Sequence, residues 1–360
     1  MKRTASILLV TLLVLTGCKD NSSYVPESGL NENHPIEFGV SGSLSVESKA
    51  PITSGADFIA FGDLTVGESD PVPVFGDEEQ EGQEGQEGQE VTFIDDVQKP
   101  HYTYSPMRYW QLGSYSFGGV MPAGDFYTAT FSSSDQKITL DFGEEVVEGE
   151  EGSETKTKGY NLAEHQADLM AAFHTVNVQS LSNPAPVDFV FDHQLSWVVI
   201  QAASRNSGLA DQGLQITGLK VYGNTPSTEG NIVFTNNAGE VSVTQTLSAE
   251  KTNSGNPYKT FTGEWQLIKP GADGTPVYAT LVPQLLVFPE ECTFYIEVKY
   301  TENGTPKTRV GSLAADWEAG KKYTYKLHIA TDISFTVSVS GWGDPVPVPD
   351  TDGDNDIEIF

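Results

Sequence analysis

Apolar and polar residues alternate one by one through much of this chain. Tyr323, Tyr325, Leu327 and Ile329 alternate with Lys322, Thr324, Lys326 and His328. Ile333, Phe335, Val337 and Val339 alternate with Ser334, Thr336, Ser338 and Ser340. Phe294, Ile296, Val298 and Tyr300 do the same against Thr293, Tyr295, Glu297 and Lys299, as do Val187, Phe189 and Phe191 against Asp188 and Asp192. A period of two puts one set on each face of a pleated ribbon, so each run predicts a half-buried strand with one solvated face. Asn303-Gly304, Asp273-Gly274, Asn224-Thr225-Pro226 and Ala319-Gly320 supply turns between such runs. Only residues 161–174 have a modest helical spacing, through Leu162, His165, Leu169 and Ala172. Many short strands punctuated by Gly and Pro predict an all-β chain of sandwiches rather than a parallel α/β sheet. The length of 360 residues fits two, at 36–183 and 184–343, with the boundary at Ser182-Asn183-Pro184-Ala185-Pro186.

The beginning of the chain follows a different pattern. Lys2 and Arg3 precede an apolar run from Ile7 to Leu15, nine residues that are too few to cross a bilayer core of roughly 30 Å. Residues 1–17 therefore read as a secretory signal peptide. Leu15-Thr16-Gly17-Cys18 has the small residues and cysteine of a lipobox, so Cys18 is the expected lipidation site. Several acyl chains would give stable outer-membrane anchoring where one is marginal. Residues 18–35 are polar and read as a tether. The only other cysteine, Cys292, is expected to be a lone buried thiol, and no disulfide framework is possible.

A formal charge of −30 argues against a nucleic-acid partner, which needs Lys and Arg to neutralise phosphates. The charge is concentrated. Segments 77–90, 144–154 and 344–360 carry 19 acidic residues and no base, so the acidity belongs to inserts and tail rather than to the folded body. The Glu-Gly-Gln repeat of 78–90 and the acidic, Gly-rich 144–159 lack apolar residues in number and read as solvated loops. Deletion of 78–90 is accordingly expected to leave the fold intact.

Catalytic and metal chemistry is hard to find in this sequence. The six histidines show no i, i+4 pair, and His165, Asp168 and His174 are too loosely spaced to define a metal site. No Gly-x-Ser-x-Gly elbow occurs. The acidic tail Asp350 to Asp356 departs from an EF-hand, because its Gly353 falls at position four and no bidentate Glu follows at position twelve. Tyr102, Tyr104, Tyr109, Trp110, Tyr115 and Phe117 could form either a carbohydrate platform or part of a core. Neither an enzyme nor a cofactor is expected.

Several segments in order resemble the fimbrillin family, the Mfa-like subunits of Bacteroidetes type V pili. Tyr104-Ser105-Pro106-Met107-Arg108-Tyr109-Trp110, followed by Tyr115-Ser116-Phe117 and Met121-Pro122, is similar to its Pro-x-x-Tyr-Trp pattern. Val187 to Leu195 resembles its Phe-x-His-x-Leu strand, and Leu214 to Leu219 the strand after it. Trp317, Gly320, Tyr323 to Leu327 and Ile333 to Trp342 resemble its closing hairpin. Lys19-Asp20 after Cys18 resembles the surface-export signal of lipoproteins of that phylum. The resemblance implies two tandem transthyretin-like Greek-key sandwiches, no catalysis, and export to the cell surface as an outer-membrane lipoprotein. It also implies removal of an N-terminal strand by a maturation protease, after which another fimbrial subunit donates a strand to the vacated groove.

Residues can be assigned to those steps. Ile36, Phe38, Val40, Leu44 and Val46 form the expected displaced strand. Ser48-Lys49-Ala50-Pro51 reads as a turn, and the resemblance implies cleavage between Lys49 and Ala50. Candidate donor strands are Ile333, Phe335, Val337 and Val339, or Ile357, Ile359 and Phe360 beyond the acidic, Pro-rich stretch. Two functions stay open: a structural or tip subunit of a fimbria with a role in adhesion, and a monomeric, surface-anchored glycan-binding lipoprotein.

Overall fold

A computed structural model describes residues 34–41, 56–75, 86–96, 100–124, 127–142, 144–146, 155–157, 166–204, 214–225, 230–237, 239–246, 250–267, 270–272, 274–329 and 333–342. Among them every regular element is a strand. In chain order the first thirteen are β1 (Phe38–Ser41), β2 (Phe58–Thr65), β3 (Val72–Phe75), β4 (Gln86–Glu87), β5 (Gln89–Ile94), β6 (His101–Thr103), β7 (Gly113–Met121), β8 (Thr128–Ser132), β9 (Lys137–Phe142), β10 (Glu144–Val146), β11 (Thr155–Thr157), β12 (Met170–Val178) and β13 (Val187–Val190). They are followed by β14 (Asp192–His193), β15 (Ser196–Ser204), β16 (Gln215–Thr225), β17 (Gly230–Asn237), β18 (Glu240–Gln245), β19 (Glu250–Lys251), β20 (Lys259–Gln266), β21 (Ala279–Val287), β22 (Glu291–Glu302), β23 (Thr305–Asp316), β24 (Lys321–Ile329) and β25 (Ile333–Gly341). The described residues all fall within one compact unit that begins at His34.

Sheet order mixes near and distant parts of the chain. One sheet runs β14-β12-β7-β2-β5-β6, with β3 added to β2, and another runs β18-β17-β9-β8-β4. The later strands form β21-β15-β24-β25 and β19-β16-β22-β23, with β20 also on β16. Strands β13 and β14 lie beyond residue 184 but pair with β1 and β12, and β17 pairs with β9. Two pairings are parallel, β1 with β13 and β15 with β24. The rest of the ladders are antiparallel, so most sheet faces can be wet on one side.

Local chemistry accounts for many of these elements. The long β22–β23 hairpin turns at Asn303 (φ 53°) and Gly304 (φ 73°), the left-handed pair that a two-residue hairpin loop requires. In β24, Tyr323, Tyr325, Leu327 and Ile329 enter a core with Ile200, Leu219, Ile296 and Trp317, but Thr324, Lys326 and His328 on the other face are buried as well, so the solvated face expected for this strand is not observed. A second core gathers Phe61, Phe131, Leu140, Trp197, Phe234 and Trp342. The third is aromatic, and it surrounds β1 with Phe58, Phe75, Phe117, Phe189 and Phe191.

Three expectations need correction. The helical spacing at 161–174 does not produce a helix in the described part, because Met170 onward is strand β12, between β7 and β14. Met170, Ala171 and Ala172 are buried on both faces, which replaces alternation by a continuous apolar run that mimics helical spacing. The acidic inserts are not loops throughout. Gln86 and Glu87 pair with Phe131 and Thr130, and Gln89 and Glu90 pair with Ala60 and Ile59. Glu144–Val146 pairs with Thr155–Thr157. Ladder bonds use the backbone, which a polar repeat supplies as well as an apolar one, and Gly88 sits where a Cβ would collide with Ile59 and Phe61. Deletion of all of 78–90 therefore removes part of a sheet.

Candidate functional site

The feature with the clearest functional content is the seat of β1. Ile36 is fully buried, and Phe38 is 8% exposed. Phe38 stacks on Phe189 at 5.6 Å between ring centroids and meets Phe58 at 5.6 Å, Phe75 at 5.3 Å and Tyr104 at 5.6 Å. Aromatic pairs in this range add about 0.5–1.5 kcal/mol each beyond the area they bury. Gly119 of β7 lets this cluster close, because a Cβ there would stand 3.1 Å from the rings of Phe189 and Phe191.

Backbone bonds hold the strand on one side and at its entrance. Phe38 to Ser41 run parallel to Val187 to Val190, and the Val187 amide donates to the Glu37 carbonyl at 2.8 Å. Upstream, the Ile36 amide donates to Arg108 O and the Trp110 amide to His34 O, both at 2.9 Å. The Tyr104 hydroxyl donates to the buried Ile36 carbonyl at 2.7 Å. Burial pushes the Tyr104 phenol up to about 12, so the hydroxyl stays a donor across the physiological range. Beside the strand lies an open cleft of about 720 Å³, lined by Ile36 to Val40 on one side and by Tyr102, Thr103 and Met107 on the other.

The positions expected from sequence fall into two groups. Ile36, Phe38 and Val40 come together in this seat, with Val40 half-buried. Leu44, Val46, Lys49, Ala50, Cys18, Ile357, Ile359 and Phe360 lie outside the described residues. Ile333, Phe335, Val337 and Val339 lie in β25, paired along its length with β24. Of the aromatic run, Tyr104, Trp110, Tyr115 and Phe117 are buried, which makes them core rather than a sugar platform, while Tyr109 is exposed and Tyr102 faces the cleft.

A second cluster escaped the sequence reading. Asp168 Oδ2 and His193 Nδ1 are 2.7 Å apart, and both side chains are buried. The Trp342 ring stacks on His193 at 4.1 Å and 8°, which ties the end of β25 to β14. Burial pushes the Asp168 carboxyl up, and the His193 contact opposes that. Asp168 thus partners His193 rather than His174. His174 lies in β12, where burial lowers its pKa. His165 lies outside the described residues. Among the described residues no three His, Cys, Asp or Glu side chains converge as metal ligands. No helix among them is long and apolar enough to cross a membrane.

The regular elements described are all strands, and the first of them is seated in an aromatic groove. Comparison with known families gives the chain a place. A family profile described as fimbrillin-like matches residues 62–342, and the chain belongs to that family, which is adhesive and structural rather than enzymatic. Among solved structures, a candidate cell adhesion protein from Bacteroides uniformis is 15% identical, covering 88% of this chain and 100% of its own, with a TM-score of 0.46. A fimbrial assembly protein from Parabacteroides distasonis is 10% identical over 86% of this chain and 99% of its own, at 0.40. The fimbrial anchor protein Mfa2 from Porphyromonas gingivalis is 9% identical over 86% and 98%, at 0.35. No curated protein matches.

Proposed function

We propose that this protein is a subunit of a surface fimbria, exported as a lipoprotein through Cys18 and assembled by strand exchange at the seat of β1. The observation that carries the reading is β1 itself: a short N-terminal strand, buried in an aromatic groove and followed at once by the segment that contains Lys49 and Ala50. Burying Ile36, Phe38 and Val40 contributes roughly 4–9 kcal/mol gross. While β1 is covalently attached, its effective concentration keeps an incoming strand out. Cutting between Lys49 and Ala50 turns β1 into a dissociable peptide and frees the rest of the chain from its lipid.

The donor in this reading is the C-terminal segment with Ile357, Ile359 and Phe360 of a neighbouring subunit. Lifting β25 instead would break its whole ladder with β24 and the Trp342–His193 stack. Head-to-tail donation is a heterologous contact and gives open filaments. The test is to compare polymer ladders and mature N-termini in surface extracts of the parent, Lys49→Ala and a chain ending at residue 343. Neither variant is expected to give polymer ladders. Ladders that persist in Lys49→Ala with residues 19–49 still attached would refute the mechanism.

A further inference from the structure

Strand β25 is an open sheet edge of a kind that proteins usually protect. It ends the order β21-β15-β24-β25, so one side of its backbone carries the ladder to β24 and, among the described residues, no strand pairs with the other. An exposed edge is commonly blunted by shortness, by proline, by charge or by a bulge. Among the described residues the other sheet ends follow that rule. Strands β1, β4, β6, β13, β14 and β19 have four residues or fewer, and β18 has six, including Glu240. Pro283 lies in β21, whose pairing with β15 shifts register; Pro306, Lys307 and Arg309 lie in β23. β3 contains Pro73, and β20 contains Lys259 and Glu264. β25 has none of these devices: nine residues, no proline, no ionisable side chain and an unbroken register. On the face it shares with Tyr323 and Tyr325, Val337 is 45% and Val339 48% exposed.

The pattern of this edge also says what covers it. We propose that β25 is the surface through which two copies of this chain pair, antiparallel and edge to edge about Val337. In that register Phe335 stands opposite Val339 and Ile333 opposite Gly341, while Thr336 meets Ser338 and Ser334 meets Ser340. Apolar positions thus face apolar or glycine positions, and hydroxyls face hydroxyls, the combinations that stabilise cross-strand pairs. The pairing forms about eight to ten ladder hydrogen bonds. Charge is compatible with the same occupant. A two-fold contact sets each residue against the same patch of the other copy, so any charged patch would oppose like to like. β25 is neutral throughout. The inference is independent of strand exchange, since it uses β25 in the place it holds in the sheet.

The test uses the full chain in a cysteine-free background, Cys18→Ser with Cys292→Ala. Sedimentation velocity is expected to show a concentration-dependent dimer that strengthens with salt, as repulsion between the acidic inserts and tails is screened. Val337→Cys is expected to form a disulfide-linked dimer under mild oxidation. Val339→Cys is expected to give about tenfold less, because its two sulfurs would lie roughly 13 Å apart along the ladder. Val337→Lys places like charges opposite one another and is expected to weaken the dimer by about tenfold or more with an unchanged melting temperature. A monomer at every concentration, equal cross-linking at 337 and 339, or a dimer that persists in Val337→Lys would each overturn the proposal. If Val337→Lys lowers the melting temperature, the cysteine pair decides, because both variants are read in folded protein.

Discussion

Phe38→Ala tests whether the grip on β1 resides where the structure puts it. Removing a buried Phe ring costs about 3–5 kcal/mol, and the four aromatic neighbours of Phe38 place it toward the upper part of that range. In the intact chain this loss lowers overall stability, which any core truncation would do. The informative form is a chain carrying a site-specific protease sequence between residues 42 and 55. Once nicked there, β1 is held only by its own contacts, and the lost energy acts on its dissociation. At 1.4 kcal/mol per factor of ten, the nicked Phe38→Ala protein should release residues up to the nick about 10³ times faster, or more, than the nicked parent. Native mass spectrometry of samples quenched at intervals after nicking reads this directly. Val190→Ala, on the adjacent β13 and 48% exposed, is the control and should change release by less than about threefold. Retention times for nicked Phe38→Ala within threefold of the parent would refute the reasoning, since the aromatic seat would then not be what holds the strand.

Three other outcomes are expected. Tyr104→Phe leaves the Ile36 carbonyl buried without its donor and should cost about 1–2 kcal/mol at neutral pH in chemical denaturation. Because the folded phenol titrates near 12 and an unfolded one near 10, the folded state holds the proton more tightly, so the parent loses stability as pH rises from 10 to 12, and Tyr104→Phe should flatten that loss. Deleting only 86–90 removes β4 and the start of β5 and should lower the thermal midpoint by several degrees, measurable by calorimetry; an unchanged midpoint would show that these ladders contribute nothing. Trp342→Ala removes a ring that is 4% exposed and stacked on His193, with an expected loss of about 3–5 kcal/mol seen as a lower denaturant midpoint.

Much of the fold was legible because apolar and polar residues alternate along many of these strands. β24, β25 and the β22–β23 hairpin were readable as strands from strict alternation and from Asn303-Gly304, although β24 is buried on both faces and Val337 and Val339 of β25 are exposed. β12 was not legible, because burial on both faces erased the period at Met170 to Ala172. The polar strands β4, β10 and β11 were missed for the opposite reason, since their pairing depends on backbone groups that composition does not report. Of the candidate site, Ile36, Phe38 and Val40 were readable as a strand, but the partner β13 was not. Parallel pairing across so long a separation leaves no local signature, and the four aromatic neighbours of Phe38 come from β2, β13, the β3 end at Phe75 and the loop at Tyr104. Asp168 and His193 were likewise invisible as a pair, since the strands between them set their distance.

The parallel pairing of β1 with β13 also fixes an order of events in synthesis. The partner of residues 38–41 leaves the ribosome about 150 residues later, which at 5–20 residues per second is a wait of roughly 7–30 s. During that interval Ile36 and Phe38 have no groove to enter, because Phe189 and Phe191, which form its floor, have not been made. The N-terminal strand is thus among the first segments synthesised and among the last to be placed. Such long-range closure is slow compared with hairpin formation, so local ladders such as β22–β23 and β24–β25 need only neighbouring segments, whereas the start of the chain depends on a body already largely assembled.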